Sequence, residues 1–139
     1  MADITITAGN VAPTGTYTKK LAQFGEAVTG GQVTYLKSSD SKYWKAQCDG
    51  TAEEAGSNEL GIVLCASASA NQFGAILTGG TITIGGTVVA GKAYYVSAAA
   101  GGICPEADLV TGNYTSQVGI ATTSAIMNIA FNATGVARA

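Results

Sequence analysis

The 139-residue chain contains no histidine, so the commonest general base and the commonest metal ligand are both missing. Charge is scarce as well. Seven basic and nine acidic residues make up 12% of the chain and leave a net charge of −2. A typical domain carries about 25% charged residues. Such a chain cannot neutralise a run of phosphates, so no nucleic-acid partner is expected. Its mean hydropathy of +0.26 and small net charge argue against disorder by composition. Apolar runs are interrupted by glycine or threonine well short of the roughly 18–20 residues that span a bilayer, so no membrane partner is expected. The start, Met1-Ala2-Asp3-Ile4-Thr5, has an acid and no basic n-region, and no secretory signal is expected there.

Three cysteines, Cys48, Cys65 and Cys104, form no CxxC pair. They read as reduced thiols serving as small hydrophobes, and neither metal site nor cofactor is expected. A Ser-His-Asp or Cys-His triad fails for want of histidine. The carboxylates Asp40, Asp49, Glu53, Glu54, Glu59, Glu106 and Asp108 fall mostly in expected loops, where acids are solvated rather than paired across a groove. No GxxxxGK[ST] or GxGxxG opens a helix after a strand, so the glycine pairs read as turns and not phosphate cradles. The chain is therefore expected not to be an enzyme.

Small residues fill the space left by charge: 24 alanines, 19 glycines and 17 threonines are 60 of the 139. The pattern is β almost throughout. Ile4 and Ile6 alternate with Asp3, Thr5 and Thr7, the period of a half-buried strand. Residues 10–16 hold Pro13 and Gly15 and read as a loop. Strands are expected at 32–37, at 42–46 as a returning hairpin arm, at 60–65, 73–77, 81–84 and 92–97, and at 117–122 and 125–131. Gly79-Gly80 reads as the turn between the two central ones. Helix signals are confined to 18–24 and 51–55, one or two turns each. About ten short strands separated by Gly, Ser and Asp turns predict a small all-β sandwich or barrel.

A unit of roughly 60 residues occurs twice. Aligning Gly31 with Gly91 sets Tyr35 on Tyr95 and Leu36 on Val96, and Glu59-Leu60-Gly61-Ile62-Val63 matches Gln117-Val118-Gly119-Ile120-Ala121. The chain reads as one β domain with an N-terminal arm over 1–16 and two similar halves at about 25–78 and 85–139. Neither half is large enough for a good core alone.

Two features stand out as contact surface. Neighbours on a strand face opposite ways, so of Tyr43 and Trp44 one enters the core and the other is a candidate interface anchor. The Ile4 and Ile6 strand, followed by a Gly/Pro loop, could pair within its own fold or add to a neighbour's sheet edge. Threonine-rich strands with few lysines leave sheet edges poorly protected, which suits an assembling subunit.

In order along the chain, Ala2–Ala8, Gly31–Leu36, Leu60–Ala68, Ala90–Ala98, Gly101–Leu109, Val118–Thr123 and Thr134–Ala137 resemble the small cement or head-decoration proteins of tailed bacteriophages. The most specific piece is Gly101-Gly102-Ile103-Cys104-Pro105-Glu106-Ala107-Asp108-Leu109 beside the Tyr94-Tyr95-Val96-Ser97 strand. The resemblance implies a non-enzymatic virion protein, made in the bacterial host cytoplasm and carried on the capsid exterior. Its implied partners are the major capsid protein and two sister copies in a homotrimer. Lys19-Lys20, the segment 18–24 and the three cysteines depart from that pattern. A receptor- or glycan-binding β-module of a phage fibre or tail is the alternative.

Overall fold

A computed structural model describes residues 3–139. The fold is all-β: among the described residues there are eleven strands, nine of them in one antiparallel sheet that curls into a half-barrel. In chain order the strands are β1 (Ala12–Gln23), β2 (Val28–Thr29), β3 (Val33–Lys37), β4 (Lys42–Lys45), β5 (Leu60–Val63) and β6 (Ser67–Ala68). They continue with β7 (Phe73–Thr83), β8 (Ala93–Val96), β9 (Ile103–Pro105), β10 (Tyr114–Ala121) and β11 (Ile126–Ala137). The sheet runs β4-β3-β5-β7-β11-β10-β8-β9, with β1 on β7 as well, and β2 pairs with β6 apart from it.

Strand pairing recurs at the spacing of the sequence repeat. Tyr35 faces Trp44 and Leu36 faces Tyr43; sixty residues on, Tyr95 faces Cys104 and Val96 faces Ile103. Val33 faces Ile62 and Thr34 faces Gly61, as Ala93 faces Ile120 and Tyr94 faces Gly119. Gly31 and Gly91 enter the paired strands with φ of +87° and +83°, a conformation that glycine adopts without steric cost.

The centre of the molecule is β7. One edge carries β1 from Thr83 down to Phe73. The other edge is shared: β5 pairs at Ile76 and Leu77, and β11 pairs from Gly80 to Thr83. Thr78 and Gly79 lie between, where the two neighbours diverge. Two cores follow. The larger gathers Val33, Ile62, Leu77, Ile82, Met127 and their neighbours, from β3, β5, β7 and β11 among others. The smaller holds Phe24, Val28, Tyr43, Val63 and Ile76. Phe24 bridges to Tyr43, which brings the end of β1 onto β4 and closes the smaller core.

Several expectations change. Residues 3–7 join no ladder; they make single bonds, from Ile4 N–H to Ile103 O (3.0 Å) and from Thr7 N–H to Gly85 O (2.9 Å). Residues 10–16 are not a loop, for β1 begins at Ala12. Pro13 is tolerated because β1 is an edge strand, and Gly15 (φ +58°) sits at a register shift. The helix expected at 18–24 is the rest of β1, since its register with β7 outweighs any local helical preference. Residues 51–55 form only turns. Gly79-Gly80 does not reverse the chain: β7 runs through it, and the backbone of Tyr17 lies so close over Gly80 that no side chain fits there.

Candidate functional site

Of the expected contact residues, Ile4 and Ile6 are half-buried and pack against the larger core. The segment carrying them runs over glycines. Ser97 Oγ donates its one proton between the two Asp3 carboxylate oxygens (2.7 and 2.8 Å) beside Gly102, Ile6 rests on Gly31, and Thr5 crosses Gly86. The N-terminal segment is thus seated on its own fold rather than standing free as an arm. Tyr43 and Trp44 face opposite ways. Tyr43 is 4% exposed in the smaller core, which withdraws its ring from any contact surface in this conformation. Trp44 is half-buried against the larger core. Its indole lies on Gly25, its Nε1–H donates to Asp40 Oδ2 (3.0 Å), and Lys37 Nζ stands 4.5 Å from the ring centroid. The Asp40 carboxyl is held below its ordinary range, first by the Lys42 backbone N–H and then by the Trp44 indole.

Strongly exposed apolar side chains lie elsewhere, where no local pattern marks them, and two of them are neighbours. Leu21 is 69% and Phe73 62% exposed. Leu21 faces Ala75 and Gln23 faces Phe73 across β1 and β7, so Leu21 and Phe73 are diagonal neighbours on one face. Leu64, whose N–H donates to Ala75 O, and Ala75 extend that face, and both are half-buried. Leu64 also packs on the larger core, so the patch continues the core to the surface. Beyond it, Thr14, Thr81, Asn128, Ile120 and Ala93 face one another in turn across five strands, a row without a charge. Charge is unevenly placed: eleven of the sixteen charged residues lie between Lys19 and Glu59, and four lie in the eighty residues from Leu60 on.

A cleft of about 350 Å³ opens where β5 and β11 diverge from β7. Leu60, Phe131 and Ala133 form its apolar part; Ser57, Asn58, Glu59 and Thr78 form its polar part. Lys20 Nζ donates to both Glu59 oxygens (3.1 and 3.2 Å), and Tyr43 OH donates to the same carboxylate. Burial, then the Glu59 carboxylate, raises the Tyr43 pKa; the Tyr43 hydroxyl, then Glu59, raises that of Lys20. Thr78 Oγ1 donates to Thr18 Oγ1 (3.1 Å). These residues come from separate parts of the chain, and only the fork at β7 brings them together.

Cys48 and Cys104 are buried free thiols and Cys65 is half-buried and free. Among the described residues, no group of three or more Cys, Asp or Glu is placed to hold a metal ion, and no helix is long and apolar enough to cross a membrane. The sequence matches no protein-family model and no curated protein.

Proposed function

We propose that the chain is a structural subunit of a bacteriophage head: a cement or decoration protein that binds the capsid exterior as a homotrimer and braces neighbouring copies of the major capsid protein. The observation that carries this reading is the Leu21–Phe73 patch. Two large side chains more than 60% exposed, side by side and continuous with the core, are the composition of an interface anchor. The ordered sequence resemblance supplies the partner, and the uncharged row from Thr14 to Ala93 suits broad, close contact with protein. Two sister contacts and one shell contact, at about 800 Å² each, would occupy more than a third of the 6147 Å² surface. Binding only to the expanded shell stabilises it by RT ln(1 + [L]/Kd), and a trimer adds avidity across joints.

The test is twofold. Light scattering at micromolar concentration should give three times 13.8 kDa. Co-sedimentation with expanded, undecorated heads should saturate and raise their disruption temperature. A chain that never sediments with such heads, as monomer or trimer, would end this reading.

A further inference from the structure

We propose that the cleft at the β7 fork binds the ring of a neutral sugar. This goes beyond the shell-binding reading and uses none of the same residues. A pyranose has an apolar C–H face and a rim of hydroxyls. The cleft offers both kinds of residue: Phe131, Leu60 and Ala133 on its apolar part, and Ser57, Asn58, Glu59 and Thr78 on its polar part. Small-molecule sites are concave with a few convergent polar groups, and the lining here is more polar than apolar, as a ligand rich in hydroxyls requires. A volume of about 350 Å³ lies at the lower end of their range, which fits one or two rings.

Charge selects the class of sugar. Lys20 Nζ sits 3.1 Å from Glu59, so the carboxylate offers acceptor lone pairs while its charge is already matched. An anionic sugar would meet Glu59 unfavourably, and a cationic one would compete with Lys20. The polar groups are also held before any ligand arrives. Glu59 is fixed from two sides by Lys20 and Tyr43, and Thr78 is tied to Thr18. Pre-ordered groups reduce the ordering cost of binding. The cleft walls belong to a β-strand pair and a strand-adjacent turn rather than to a free loop: Glu59 O accepts from Leu36 N–H (3.2 Å), and Ser57 N–H donates to Ala52 O (3.1 Å).

The experiment is a titration of the ¹⁵N-labelled full chain, followed by amide chemical shifts. The probes are methyl α-D-glucopyranoside, methyl β-D-galactopyranoside and N-acetylglucosamine, each to about 50 mM, enough to detect a Kd of about 1–10 mM. At least one should shift amides at 57–60, 78 and 131–133 in a saturable way. Phe131→Ala should weaken that binding about tenfold or more through loss of the stacking wall. Thr78→Val keeps the packing volume and removes only the hydroxyl, so it separates a lost contact from a lost fold; it should weaken binding several-fold. No saturable shift with any of the three sugars, shifts centred elsewhere, or shifts unchanged in both variants would overturn the assignment. Head co-sedimentation by Phe131→Ala should stay intact, so failure here is distinct from failure of the shell-binding reading.

Discussion

Ile6 lies on Gly31 so closely that a Cβ at position 31 would stand 2.5 Å from Ile6 Cγ2. Gly91, its counterpart in the repeat, has the same positive φ but open space where the Cβ would go. The pair separates two costs of adding a methyl group. Gly91→Ala should lose only the backbone term, about 1 kcal/mol. Gly31→Ala should lose that and an overpacking term of about 1–3 kcal/mol, since the N-terminal segment must shift. In urea unfolding Gly31→Ala should cost at least about twice as much as Gly91→Ala. An Ile6→Ala background should recover part of the difference. Equal costs would mean that residues 3–7 do not hold the seat described above.

Gly25 bears on Trp44 in the same way, for a Cβ there would overlap the indole. Gly25→Ala should destabilise the fold by about 1–3 kcal/mol. Trp44 is the sole tryptophan, so its emission is a clean reporter. The variant should displace the ring from between Gly25 and Lys37 and shift emission to longer wavelength. An unchanged spectrum would show that the ring does not rest where described.

How much of this could be read from the chain depends on whether the signal was local. β3, β4, β5 and β8 combine aromatic or branched residues with nearby turns, and each lies within the span expected for it. β1 is hidden because Pro13, Gly15 and Lys19-Lys20 look like a loop and then a helix; its identity comes from a partner fifty or more residues away. β7 looked like two strands because a glycine pair that admits the Tyr17 backbone has the same composition as a turn. Ile4 and Ile6 do alternate as in a strand, yet a glycine-floored seat takes the place of ladder partners. Tyr43 and Trp44 do take opposite faces, as the period of two requires. Leu21 and Phe73 carry no sequence signal, because exposure of an apolar residue is a property of what fails to cover it. The cleft was illegible for the same reason: Glu59, Thr78 and Phe131 meet only through the divergence of β5 and β11.

Buried acids set the alkaline limit of the fold, the raised Tyr43 phenol among them. Burial pushes the Cys48 thiol up to about 11, the Cys104 thiol up to about 12 and the Tyr35 phenol up to about 12. Their ordinary values are 9.0 for the thiols and 10.0 for the phenol. Between those values and the raised ones, the unfolded chain has released protons that the folded chain retains. The unfolded state binds fewer protons, so stability falls as pH rises. The loss begins near pH 9 with the thiols, is joined by Tyr35 near pH 10, and costs about 1.4 kcal/mol per group per pH unit. Urea midpoints should be flat from pH 7 to 8.5 and drop steeply by pH 10.5. Cys104→Ala should reduce that slope. A slope unaffected by Cys104→Ala would remove the thiol from this account.

Thiol reactivity checks the same burial at neutral pH. Cys65 is half-buried, whereas Cys48 and Cys104 are at most 1% exposed. An aromatic disulfide reagent should label Cys65 first, and label the other two only as fast as the fold opens. Rapid labelling of all three without denaturant would contradict the packing of both core thiols.

Leu21 and Phe73 make the assembly reading answerable to single side chains. Each is mostly solvent-exposed, so Leu21→Asp or Phe73→Ser should change unfolding free energy by no more than about 0.5 kcal/mol. If the patch is the anchor, the same changes should weaken subunit association or head binding by at least about tenfold. The double variant matters most, since diagonal neighbours share one contact and their losses should not add. Lys92→Ala, a charge change outside the patch, is the control and should bind as the parent does. The informative comparison is stability against binding in the same preparations. Loss of binding with stability retained assigns the patch to the interface. Binding retained in the double variant would detach Leu21 and Phe73 from assembly, and with them the observation on which the proposed function rests.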